Sequence, residues 1–281
     1  MIEGRRSATA ERVALRRAAH RLGDDPVVFD DPLSLAILGD EAANRVRAGA
    51  EEENRSPWAR GLRAFMAVRS RYAEDELARA VAQGVRQYVL LGAGLDTFAY
   101  RNPHAHLLVY EVDFPETQAW KLWRLEHGGI PIPPSVRFAP VDFERHSLED
   151  GLAAAGFRRD APAFFSWLGV VPYLTRLAAF ATLGFIASLP QGSGVVFDYV
   201  IPRELMGERE RGNFDALAAR VARAGEPFRL FFDPAQLALD LRALGFTHLE
   251  DLDRTAIRAR WFPAEGTEQR LHGRSGRLLC A

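Results

Sequence analysis

Hydrophobic and polar positions divide the chain into an N-terminal stretch with helical spacing and a following stretch of short apolar runs. Thr9 to Leu22 is rich in Ala, Arg and Leu, and Trp58 to Val81 places Leu62, Phe65, Met66, Tyr72, Leu77 and Val81 at intervals that load one side of a helix. From Gln87 the period changes. Tyr88 to Leu91, Leu107 to Tyr110, Val136 to Val141, Ala163 to Trp167 and Val195 to Val200 are apolar runs of strand length, each bounded by polar or glycine positions. Pro115 to Glu126, Leu148 to Ala155 and Arg176 to Leu189 lie between them with helical spacing. Runs without polar alternation are strands covered on both faces, so the alternation predicts a parallel sheet with helices on both sides, an α/β fold. A helical insertion over Arg203 to Ala224, a helix over Pro234 to Leu244 and two last strands, Thr247 to Leu252 and Arg277 to Ala281, complete the expectation.

No repeat, low-complexity tract or linker cuts the 281 residues, so the chain reads as one unit. Its parts are a helical cap over 1–84, a βα core over 85–200, a helical lid over 201–230, and a C-terminal helix with strands over 231–281. The 36 basic residues balance 37 acidic ones, which removes any broad electrostatic bias toward nucleic acid or an acidic membrane. Ala178 to Leu189 is too short and too interrupted to span a bilayer, and the charged opening, Met1 to Ser7, is unlike an export signal. With Cys280 as the single cysteine, neither an intrachain disulfide nor a Cys-rich zinc site is expected, and a cytoplasmic setting fits.

Chemistry in an open parallel sheet collects beyond the carboxyl ends of the strands. The first end, Gly92-Ala93-Gly94-Leu95-Asp96-Thr97, is a glycine turn that lets backbone approach a ligand, although Thr97 stands where a dinucleotide fingerprint has its third glycine. The second end carries Glu111 and Asp113, about 20 residues on, where an acid holds a ribose hydroxyl pair, and either residue suits the task. At the third, Asp142 can accept from an exocyclic amine while Phe143 packs on a base, or Asp142 can cap a helix. Together these ends describe a cleft for a nucleoside. The only lysine, Lys121, is not in a phosphate-binding Gly-Lys-Ser/Thr loop. His104 and His106 lack a third ligand at useful spacing, so no metal is expected. Neither Gly192-Ser193-Gly194 nor Gly273-Arg274-Ser275-Gly276 is a hydrolase nucleophile elbow.

Three blocks, Val89 to Thr97, Tyr110 to Pro115 and Phe165 to Thr175, resemble the leucine carboxyl methyltransferase family, a group of S-adenosylmethionine-dependent enzymes that includes polyketide O-methyltransferases. The resemblance runs from about Ser7 to the C-terminus. It implies a Rossmann-like class I methyltransferase fold, a seven-stranded, mostly parallel sheet with its last strand antiparallel, and extra N-terminal helices over the cofactor. It further implies S-adenosyl-L-methionine as cofactor, released as S-adenosyl-L-homocysteine, and a small molecule or a protein C-terminus as methyl acceptor. By motif, Gly92 and Gly94 lie beside the methionyl part, Asp113 holds the ribose with Glu111 as second candidate, and Asp142 and Phe143 meet the adenine. Arg69 pairs with the cofactor carboxylate. Leu168 replaces an acid that many members carry before Gly169, which makes the cofactor contact there apolar. Tyr173, just past the fourth strand, either faces the methyl group as the one catalytic candidate or caps the core, with no role as a base assigned to it. Two other classes compete: a nicotinamide-dependent oxidoreductase, for which no Tyr-x-x-x-Lys is present, and a non-catalytic nucleoside-binding protein on the same fold.

Overall fold

A computed structural model describes residues 7–49, 56–263 and 275–281, apart from the side chains of Ala8 and Arg209. The charged opening residues 1–6 and the Gly273-Arg274 half of the second glycine-serine stretch lie outside these.

Seven strands form one sheet: β1 (Gln87–Leu91), β2 (Leu108–Asp113), β3 (Val136–Pro140), β4 (Ala163–Trp167), β5 (Gly194–Val200), β6 (Glu250–Leu252) and β7 (Gly276–Cys280). Their order is β3-β2-β1-β4-β5-β7-β6. The first five are parallel, and β7 enters antiparallel between β5 and β6. Every residue of β1 and of β4 is buried, as their continuous apolar runs require. Successive side chains divide between the two faces. Val89 and Leu91 join the core that holds Trp167 and Phe197, while Tyr88 and Leu90 join the one that holds Tyr72 and Phe164.

The helices are α1 (Ala8–Gly23), α2 (Asp40–Arg47), α3 (Pro57–Ala82), α4 (Pro115–His127), α5 (Leu148–Ala154), α6 (Arg176–Ala187), α7 (Glu208–Arg223), α8 (Pro234–Leu244) and α9 (Arg254–Trp261). Local chemistry sets their starts: the side chains of Ser7, Ser56, Ser147, Thr175, Asp233 and Asp253 each accept a backbone N–H of the first turn. A third cluster, with Ala14, Ala18, Leu38, Leu95 and Trp120, fixes α1 and α2 over the β1 and β2 ends.

Four features depart from the expectation. Helices α2 and α9 were not expected; each is eight residues long, and α2 buries only Ala42, Ala43 and Val46, α9 only Ile257, so few large apolar side chains mark them in the sequence. The strand expected from Thr247 begins at Glu250. The β1–β2 connection, for which no helix is read from the sequence, holds a 3-10 turn, Phe98–Tyr100. The expected insertion divides into a 3-10 turn, Arg203–Leu205, and α7. No described helix is long and apolar enough to cross a membrane.

Candidate functional site

The carboxyl ends of β1 to β4 open into a cavity of about 380 Å³, bounded by Gly92, Gly94, Asp113, Asp142, Phe143 and Leu168 and covered by Ala10, Val13 and Arg17 of α1. Gly92 and Gly94 both have positive φ, 70° and 45°. A Cβ on Gly92 would collide with Val170 Cγ2, and one on Gly94 would come 3.1 Å from Ala10 Cβ. The loop after β4 therefore forbids a side chain at the first position, and α1 crowds the second. The N–H of Gly94 donates to Asp113 Oδ2 at 2.5 Å, and that of Phe114 to Oδ1 at 2.7 Å, which ties the turn to the end of β2. Burial pushes the Asp113 carboxyl up to about 6, against the opposing pull of those two N–H groups and of Lys121.

Glu111 requires a correction. It lies on the same face of β2 as Asp113, but two residues further from the strand end, roughly 7 Å deeper in the sheet. There its carboxylate accepts from Lys121 Nζ at 2.8 Å and from the Tyr100 hydroxyl at 2.9 Å. It does not border the cavity. The chain's one lysine thus neutralises a buried acid, and the second ribose candidate is a structural ion pair.

Asp142 caps no helix, the cap of α5 being Ser147. Its Oδ1 accepts from the N–H of Glu144 at 2.9 Å, closing a turn in place of starting a helix, and the residue borders the cavity. Phe143 packs toward Trp167, with ring centroids 6.4 Å apart. Leu168 lies on the wall as an apolar surface.

Arg69, on α3, is buried, and its Nη1 donates to Asp198 Oδ2 at 2.9 Å. The other oxygen, Asp198 Oδ1, accepts from the N–H of Gly169 at 2.5 Å. Gly169 has φ 72°, and a Cβ there would come 2.8 Å from Arg69 Nη2, so the guanidinium occupies the space a side chain would take. Arg69 Nε is buried with no acceptor. A buried cation with a donor to spare at a cavity wall suits a carboxylate ligand.

The wall built by Arg69, Gly169, Tyr173 and Thr9 is shared with a second chamber of about 140 Å³. That chamber lies between α3 and α7, with Trp58 and Phe65 on one side and Phe214 and Val221 on the other. Helix α7 turns Phe214 and Val221, both buried, to the chamber. Burial pushes the Tyr173 phenol up to about 12, against the pull of the neighbouring Thr9 hydroxyl. Thr9 in turn donates from its hydroxyl to Glu226. Backbone N–H groups of Arg229 and Leu230 donate to Pro172 O at 2.7 and 3.2 Å, joining this segment to the loop after β4.

Several residues here escape reading from sequence. Asp198 sits inside the apolar run of β5, and a lone carboxylate in such a run is the one signal that pointed to it. Thr9, Arg17 and Glu226 carry no local signal; Arg17 reaches the site by donating to Leu95 O at 2.5 Å and Asp96 Oδ2 at 3.0 Å. Thr97, in place of a third glycine, is fully buried and donates to Asp31 Oδ1 at 2.8 Å, anchoring the N-terminal segment. Among the described residues no group of three or more His, Cys, Asp or Glu side chains is placed to hold a metal ion.

Comparison with known proteins adds the following. Residues 10–187 match the family model described as leucine carboxyl methyltransferase. YktD of Bacillus subtilis (strain 168), named as an S-adenosyl-L-methionine-dependent methyltransferase, is 30% identical over 278 residues, covering 91% of each chain. A Mycobacterium avium (strain 104) protein named in the same way is 32% identical over 267 residues, covering 92% of this chain and 78% of its own. In structure, a protein from Thermobifida fusca YX, named as a methyltransferase, aligns with a TM-score of 0.57 at 17% identity, over 95% of this chain and 92% of its own. A DUF574 family protein from Streptomyces avermitilis MA-4680 aligns at 0.55 with 16% identity, over 95% of each chain. At those identities the structural likeness concerns the fold alone.

Proposed function

This chain belongs to the leucine carboxyl methyltransferase family, and from that premise we propose that it methylates an oxygen, a carboxylate or a hydroxyl, of a small molecule. It is an S-adenosylmethionine-dependent methyltransferase. The observation that carries the finer reading is the pair of cavities, about 380 and 140 Å³, that meet at one wall of Arg69, Gly169, Tyr173 and Thr9. The larger has the size and the acids of a nucleoside site, and the smaller suits an acceptor of few atoms better than a folded protein's terminus.

S-adenosylmethionine supplies a methyl group already activated by a sulfonium, so the protein's work is alignment and exclusion of water. In this reading the glycine turn admits the methionyl part, and Asp113 accepts from the ribose hydroxyls with the lone pairs that Gly94 and Phe114 leave open. Asp142 accepts from the adenine amine beside Phe143, and Leu168 packs against the ligand. Arg69, held by Asp198, meets the carboxylate. A carboxylate acceptor is ionised at neutral pH and needs no base. Tyr173, with its phenol raised to about 12, positions the acceptor and does not take its proton. Helix α7 covers the acceptor side as a lid.

A nicotinamide-dependent oxidoreductase fits less well. Thr97 fills the third-glycine position from inside the core, and the antiparallel β7 interrupts the strand order of a dinucleotide fold. Isothermal titration with S-adenosylhomocysteine, with NAD in parallel, tests the proposal. Saturable binding of the former that is lost in Asp142→Ala is expected; no heat with the homocysteine product would overturn the assignment.

A further inference from the structure

We infer that the 140 Å³ chamber selects an acceptor with a one-ring aromatic body and a carboxylate directed away from the methyl-transfer wall, toward Arg254 and Arg12. The inference rests on the methyltransferase reading for its purpose, but its physical basis is the chamber alone.

The size comes first. An apolar protein cavity of about 150 Å³ holds a benzene molecule, so a chamber of about 140 Å³ admits a single ring and little more. Its surface suits such a ring. Phe214 and Phe228 stack with centroids 5.7 Å apart and planes 13° from parallel, and Phe228 lies 5.2 Å from Tyr173 at the shared wall. These rings form a continuous aromatic side from α7 to the wall.

Charge sets the polarity of the ligand. Arg12, Arg16, Arg69, Arg220 and Arg254 border the chamber, and among the described residues two acids, Asp198 and Glu210, do so. Arg69 is engaged by Asp198, and Arg220 lies over the Trp58 ring at 5.9 Å. Arg16 and Arg220 have further partners. Arg12 and Arg254 differ: among the described residues neither has a carboxylate within ion-pair distance, and Arg12 Nη1 is buried with no acceptor. Both are partly buried at the chamber's edge, and a ligand carboxylate beside either gains charge-assisted hydrogen bonds that no described carboxylate supplies.

Geometry separates the two ends. Helix α1 presents Ala10, Val13 and Arg17 to the larger cavity and Thr9, Arg12 and Arg16 to the chamber, two stripes each spaced i, i+3, i+7. Arg254 opens α9 directly after β6, which lies three strand positions from β4, the strand that leads into Gly169. At about 4.8 Å per strand that is roughly 14 Å from the wall, which leaves room for one ring once the arginine side chain extends inward. The reacting oxygen and the recognised carboxylate are therefore at opposite ends of the ligand.

A matched series decides it: benzoate, 4-hydroxybenzoate and phenylacetate against their primary carboxamides, titrated calorimetrically into the protein with and without saturating S-adenosylhomocysteine. The carboxylates are expected to bind on the order of tenfold more tightly than the amides, and Arg254→Gln or Arg12→Gln to bring the ratio within about twofold. Affinity for S-adenosylhomocysteine in both variants stays at the wild-type value, which also shows that they fold. Amides that bind as tightly as the acids, a ratio unchanged in both variants, or no binding by any of the six compounds would each overturn the inference. Failure of S-adenosylhomocysteine to bind the wild-type protein would instead overturn the methyltransferase reading, and the acid-to-amide ratio without it would still judge the chamber.

Discussion

Asp113 offers a titration that reads cofactor binding at a single carboxylate. In the protein without ligand, burial holds its carboxyl near 6, above the ordinary 3.8. Ribose hydroxyls that donate to this carboxylate favour its ionised form, so binding returns the value toward the ordinary one. The sign follows by linkage. A group whose value falls on binding must lose a proton for the ligand to bind, so affinity is full above about pH 6 and declines as pH falls below it. With values of about 6 before binding and 3.8 after, the dissociation constant of S-adenosylhomocysteine at about pH 5 is expected to be roughly tenfold weaker than at about pH 7.5. Calorimetric titration across this range, in buffers of differing ionisation enthalpy, gives both the affinity and the protons released. The ligand's own carboxylate and amine keep their charge throughout, and Asp113→Asn controls for every other group. A flat wild-type profile, or the same slope in Asp113→Asn, would refute the assignment of the ribose contact to Asp113.

Two further outcomes follow from the shared wall. Asp198→Ala removes the partner of buried Arg69 and the acceptor of the Gly169 N–H, so urea unfolding is expected to show a loss of about 3–5 kcal/mol together with weakened S-adenosylhomocysteine binding. A loss under about 1 kcal/mol with unchanged affinity would mean the pair does not hold the site. For Tyr173→Phe, single-turnover methyl transfer to an accepted substrate is expected to stay within about tenfold of wild type, because a phenol raised to about 12 is a poor base at neutral pH. A fall of about a hundredfold or more would make the hydroxyl part of the proton chemistry.

The strands and the glycine turn were legible in the sequence because their signals are local. A run such as Tyr88 to Leu91 followed by two glycines states its burial and its turn within a few positions, and the family-like blocks contain the same residues. The acid at the β2 end was legible only as a choice between Glu111 and Asp113. Both lie on one face of the strand, and depth in the sheet, set by where Lys121 and Tyr100 pack, separates a structural ion pair from a cavity wall. Helices α2 and α9 were not legible, since each is eight residues long and buries little beyond small or single apolar side chains, too short a stretch to separate from a loop before its packing is known.

By itself, then, the sequence determined the βα order, the turn at Gly92 and Gly94 and the positions of acids at successive strand ends, because these depend on backbone preference and on which faces must leave water. Only the tertiary structure decided which side chains meet. Arg69 and Asp198 are 129 residues apart, and Thr9 and Glu226 are 217 apart. Hydrophobic burial drives collapse without choosing partners. It is the register of β4 beside β5, with α1 and α3 laid across their ends, that brings these polar groups together and divides the space above the sheet into two chambers.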